Sequence, residues 1–163
     1  MTMAEPSAYA IATLLTDLIG RKVSVAQSPA AEETKNKQMF GIYQVVSSLA
    51  PIVLKADLVL LVSMAGVLVG LPDSAVKERL AAPSLDELIR DAMHELLNIL
   101  STVVSVEGRA IFIKMVPNAA YVDGPAGVVL KKPSRRSFFT VEVEGYQGGH
   151  LSIFSSLAPT VVG

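Results

Sequence analysis

Residues 84–104, SLDELIRDAMHELLNILSTVV, constrain this chain more than any other stretch. Ser84 and Glu87 have the S-x-x-E spacing of a capping box, in which hydroxyl and carboxylate satisfy the first free amides of a helix. Pro83 blocks any helix arriving from the other side. Leu85, Leu88, Ile89, Ala92, Leu96, Ile99, Leu100 and Val103 then recur at three- and four-residue steps. At ~100° per residue they share an arc of roughly 100°, which predicts an amphipathic helix of about five turns, ~28 Å long. Asp91, Glu95, Asn98 and Thr102, spaced four, three and four apart, form a polar stripe on the other side.

A helix with so apolar a face needs something to cover it, and the composition supplies it. The chain has 163 residues, enough for one domain with a real core. Apolar residues make up 51% and charged residues 18%, which predicts a packed fold rather than disorder. A net charge of -1 argues against a general binder of nucleic acid or membrane surfaces. Without cysteine there is no disulfide framework, thiolate nucleophile or cysteine-type zinc site, which fits a reducing cytoplasm. No basic segment followed by an apolar run marks a secretory signal at the N-terminus. The most apolar stretch, 58–71, is shorter than the ~20 residues that span a bilayer, and Lys55 and Asp57 stand at its edge. The expectation is a soluble, cytoplasmic protein.

In chain order, 1–6 and 158–163 read as frayed tails of a single domain covering 1–163. Residues 7–19 place Ile11, Leu14, Leu15, Leu18 and Ile19 on one helix face, with Gly20 as the stop. Residues 22–27 alternate as a short strand, and 28–38, with Pro29 and a run of charges, read as a mobile loop. Residues 39–48 and 52–55 form a hairpin around Leu49-Ala50-Pro51. Asp57 is placed to cap the next element, 58–69, which is apolar all round: a helix buried on nearly every side, or a strand. Gly70 and Pro72 end it, and 73–80 is a short, more exposed helical turn.

Beyond Ser105 the texture becomes strand-like. Residues 109–116 alternate, 117–126 read as a loop, 127–131 as a short strand and 138–146 as a longer one. Gly148-Gly149 reads as a tight turn into the last strand, 150–155. Helices and strands segregate and hairpins recur, so the predicted class is α+β: two layers, an antiparallel sheet with long helices packed on one face.

The pattern Asp91-x-x-x-Glu95-x-x-Asn98 resembles the D/S-x3-E-x2-N signature of the CheC/CheX family of chemotaxis phosphatases. The order of elements resembles that family's over most of the chain. A weak pseudo-repeat, helix then strands from Ser7 and again from Ser84, carries the motif only once, which is similar to the single-site CheX branch.

The resemblance implies a protein that acts on a phosphorylated receiver domain of a response regulator. Asn98 would orient the water that attacks the aspartyl phosphate, and Glu95 would pair with the partner's active-site lysine. Asp91 and Thr102 would extend the contact surface. The protein would need no cofactor of its own, since the partner would carry the Mg²⁺. CheX-like proteins are often homodimers, which makes 138–146 and 150–155 candidate strands for pairing across a two-fold axis. Where the family usually has small residues after the motif, this chain has Ile99-Leu100-Ser101-Thr102-Val103. A non-catalytic interaction or assembly protein on the same fold, related to flagellar-switch scaffolds, is the alternative, with the stripe as solvated surface.

Other constellations point elsewhere. His94 and His150 are the only histidines, and they lack metal-ligand spacing. Lys131, Lys132, Arg135 and Arg136 read as a basic loop without the interleaved aromatics of a nucleic-acid binder. Ser101 and Ser105 have no His–Asp setting to make either a nucleophile.

Overall fold

The computed structural model describes residues 6–29, 36–106 and 108–156. Ser7 opens α1 (Ala8–Ile19) by accepting the Ala10 amide at 3.0 Å, and Gly20 closes it in the left-handed conformation. β1 (Val23–Ser28), β2 (Gln38–Val45) and β3 (Pro51–Asp57) follow, so the loop expected at 28–38 is shorter at both ends. Its residues 30–35 lie outside the described residues, as do 1–5 and 157–163 of the expected tails. Pro6, assigned to a tail, is buried.

The chain then enters α2 (Leu58–Leu68), so the apolar stretch is a helix, buried over Leu60–Gly66. It ends with the Gly70 amide on the Val67 carbonyl and the Leu71 amide on the Gly66 carbonyl, the paired bonds of a Schellman stop. Asp57 stands at its N-terminus but makes no capping bond. Its fully buried carboxylate instead accepts from Gln38 Nε2 at 2.5 Å and from the His150 amide at 2.8 Å, with His150 Nδ1 at 3.2 Å. The side chain thus ties strands together rather than satisfying α2.

After α3 (Asp73–Ala81) comes the organising segment, in two pieces: α4 (Glu87–Ile99) and α5 (Ser101–Val104). The capping box of Ser84 and Glu87 does not form. Backbone at Asp86 is still extended (φ −74°, ψ 163°), and the Asp86 carboxylate lies 3.8 Å from Arg79 rather than on an α4 amide. β4 (Ala110–Val116), a 3-10 turn (Ala119–Tyr121), α6 (Gly124–Lys131), β5 (Arg135–Val143) and β6 (Gly149–Ser155) complete the chain. The short strand expected at 127–131 is therefore helix α6, and Arg135 and Arg136 lie in β5 rather than in a loop.

The strands form one antiparallel sheet in the order β1-β5-β6-β3-β2-β4. Alternation along each strand divides its side chains between two cores. Ile52, Leu54 and Ala56 of β3, Leu151 and Ile153 of β6, and Phe139 and Val141 of β5 meet α1, α2, α4 and α5 on the inner face. Phe40 and Ile42 of β2, Val53 of β3 and Phe154 of β6 meet α6 on the outer face, around Val122, Ala126 and Val129. The predicted α+β architecture, with its long helices on one face, is what the chain adopts; short α6 adds a cover on the other.

β5 and β6, the strands expected to pair between two copies, each have a partner on both sides, and the open edges are β1 and β4. That overturns the proposed pairing surface, because an interior strand has no free row of amides and carbonyls to offer.

Candidate functional site

α4 owes its position to Ile89, Met93, Leu96 and Leu97, all at 0–1% exposure against the inner core. Two of these, Met93 and Leu97, are absent from the apolar set that the sequence spacing picks out. Their burial turns the helix so that Leu88, expected in the core, is 50% exposed.

The other side of α4 carries Asp91, Glu95 and Asn98, all exposed, and Thr102 is exposed on α5. At 100° per residue the first three fall within an arc of about 60°, with Leu88 roughly 20° from Glu95. Leu88 is thus an apolar neighbour of the stripe that three- and four-residue periodicity assigns to the wrong side. Among the described residues, none of Asp91, Glu95, Asn98 and Thr102 has a hydrogen bond or ion pair through its side chain. The carboxylates and the carboxamide are open to an external partner.

The bulky residues after the motif do not crowd this surface. Leu100 and Val103 are 1% and 6% exposed and point into the core, leaving half-buried Ile99 and exposed Thr102 beside the stripe. Underneath, β2 touches the end of α4 closely: a Cβ on Gly41 would come within 3.2 Å of Leu97 Cδ2. The Tyr43 hydroxyl donates to the Leu97 carbonyl at 2.5 Å. Phe112 of β4 packs edge-on to the His94 ring at 5.8 Å and against Tyr43 at 5.6 Å.

The remaining candidates lie apart. His150 is committed to Asp57. Lys131 and Lys132 are at the end of α6 and Arg136 shares the outer face with Phe154, whereas Arg135 lies on the inner face beside Ile52 and Val104, so the basic residues are split between the two faces of the sheet. The Ser105 hydroxyl donates to the Ser101 carbonyl and accepts the Ala110 amide, a structural use that joins α5 to β4. Among the described residues, no group of three or more His, Cys, Asp or Glu side chains is arranged to hold a metal. No helix among them is long and apolar enough to cross a membrane.

No protein-family model matches the sequence, and no curated protein matches it. Solved structures do match the fold. A FliM structure, from the FliM–SpeE complex of H. pylori, is 12% identical with a TM-score of 0.68, over 91% of this chain and 81% of that one. Thermotoga maritima FliY is 18% identical with a TM-score of 0.62, over 94% and 84%. CheX, in the CheX–CheY–BeF3–Mg²⁺ complex of Borrelia burgdorferi, is 13% identical with a TM-score of 0.51, over 91% and 94%. The chain has the CheC/CheX-like fold that CheX shares with the middle domains of FliM and FliY.

Proposed function

We propose that this protein docks the exposed stripe of α4 onto a phosphorylated receiver domain and hydrolyses its aspartyl phosphate, as part of chemotaxis or flagellar signalling. The observation that carries the reading is a carboxylate and a carboxamide, Glu95 and Asn98, three residues apart on a packed helix and without a side-chain partner among the described residues. CheX of similar fold has been crystallised with CheY, BeF3 and Mg²⁺.

An acyl phosphate is already activated, so a docking protein has little to add beyond a water held in line with phosphorus. The Asn98 carboxamide accepts from and donates to that water without competing as a nucleophile. As the water oxygen bonds to phosphorus, the bond to the aspartate carboxylate breaks; the aspartate leaves as carboxylate and both of the water's protons go with the phosphate, which leaves as H2PO4⁻ and exchanges one of them with solvent. Glu95 takes the partner's lysine and fixes the register, and Leu88 adds apolar contact beside it. Mg²⁺ belongs to the receiver.

A second reading is supported by the higher TM-scores to FliM and FliY: a non-catalytic assembly protein on the same fold. One experiment separates the two. A CheY-type receiver is phosphorylated with acetyl phosphate and its decay is followed with wild type, Asn98→Ala and Glu95→Ala. The phosphatase reading expects wild type to shorten the lifetime, Asn98→Ala to abolish most of that effect, and Glu95→Ala to weaken docking and turnover together. A receiver that binds wild type yet keeps its phosphate lifetime in all three mixtures makes this an assembly protein.

A further inference from the structure

We propose that Tyr43, braced by Phe112, is a positioning residue that sets the rotation of α4 about its axis and thereby where Glu95 and Asn98 point; this rests on the phosphatase reading above. Most of what holds α4 is apolar contact, which is strong but non-directional and leaves a helix free to roll by a few degrees on its bed. A hydrogen bond from a rigid ring is directional.

The backbone makes room for that bond at one place. The Leu100 amide returns to the Leu96 carbonyl, but the next turn restarts, with the Val103 and Val104 amides both on the Leu100 carbonyl. The Leu97 carbonyl, released from the helical ladder at this break, accepts from the Tyr43 hydroxyl instead. Tyr43 is fully buried, and a hydroxyl in that environment is costly without a partner, so both groups satisfy each other. Burial also pushes the Tyr43 hydroxyl far above its ordinary pKa, so it remains a donor at any pH in use.

Phe112 stands opposite Tyr43 in the β2–β4 register and touches both the Tyr43 ring and the His94 ring. The two aromatics therefore grip α4 at His94 and at Leu97. Each gripped residue immediately precedes a stripe residue, Glu95 and Asn98, which lies ~100° further round the helix on the open side. Among the described residues nothing on that open side holds either side chain, so the grip from below is what defines their direction.

The test uses the full chain carrying Tyr43→Phe, which keeps the ring and removes the hydroxyl. With the acetyl-phosphate-labelled receiver, kcat is expected to fall by roughly ten-fold or more while affinity for the BeF3-loaded receiver falls by no more than about three-fold, because Glu95 turns with the helix but its longer side chain still reaches the partner's lysine, whereas the water held by Asn98 must stay in line with phosphorus. In the protein alone, amides of 98–104 are expected to exchange roughly ten-fold faster with those of α1 unchanged. A kcat within about two-fold of wild type overturns the proposal. Should Tyr43→Phe not fold, Phe112→Leu carries the same expectations, because it removes the brace from both Tyr43 and His94. If wild type itself leaves the phosphate lifetime unaltered, the phosphatase reading falls, and exchange alone decides the grip: unaltered exchange at 98–104 overturns it.

Discussion

Leu88 and Leu97 are both leucines on α4, nine residues apart, and the fold puts them to opposite uses. Leu97 is 1% exposed, so Leu97→Ala removes buried methyls and leaves a cavity at the β2 contact, at a cost of about 2–5 kcal/mol. Leu88→Asp changes an exposed residue and should move stability by no more than about 0.5 kcal/mol. If the stripe is a docking surface, the same Leu88→Asp should weaken receiver binding by roughly ten-fold, equivalent to about 1.4 kcal/mol at a contact beside Glu95. Chemical denaturation and a binding titration on the two variants check this pair. A Leu88→Asp protein that binds as wild type would remove Leu88 from the interface. The sequence separates polar from apolar sides well enough to place Asp91, Glu95 and Asn98 outward. It cannot say which apolar side chains near the boundary are covered, because that depends on where the sheet lies under the helix. Tyr43, Phe112 and Gly41 are far from the motif in sequence, and only their shared position beneath Leu97 and His94 joins them to it.

Elements whose burial pattern is local were legible: α1 with its Ser7 cap and Gly20 stop, the β2–β3 hairpin, β5 and β6. Those decided by distant partners were not. Residues 127–131 alone are as compatible with a strand as with a helix, and α6 forms because Ala126 and Val129 are covered by Phe40, Val53 and Phe154. The turn between β5 and β6 shows the same limit. Gly148-Gly149 has the composition of a tight turn, but the residue with φ 80° is Gly145. Gly148 meets a different need, since a Cβ there would come within 2.2 Å of the Val141 carbonyl oxygen. A side chain at Gly145 would only touch Arg21 at ordinary contact distance, so the penalty there is in the backbone. Gly145→Ala should therefore cost about 1–2 kcal/mol, the price of left-handed geometry for a residue with a Cβ. Thermal denaturation of that variant measures it, and a neutral result would mean the turn relaxes to another conformation.

For the molecule as a whole, the sheet order matters more than any single element. With β5 and β6 inside, any strand-to-strand association of two copies has to use β1 or β4. The interior strands are instead locked by Asp57, which reaches Gln38 of β2 and His150 of β6 from the end of β3. Sequence reasoning gives Asp57 a local task at the α2 N-terminus, since a carboxylate before a helix usually caps it. The tertiary fold overrides that because the β6 amide and the Gln38 amide group are brought against the same two oxygens, out of water. Asp57→Ala strips the buried acceptor from three part-buried donor groups and should cost about 3 kcal/mol. At about 2–4 °C per kcal/mol for a chain of this size, Tm should fall by roughly 6–12 °C. Asp57→Asn keeps one acceptor oxygen and the side-chain shape, so its Tm should lie between those of wild type and the alanine variant. Calorimetry on the three proteins decides the matter. An alanine variant that melts within about 2 °C of wild type would show that these long-range bonds contribute little, and that the apolar faces of β3 and β6 hold the middle of the sheet by themselves.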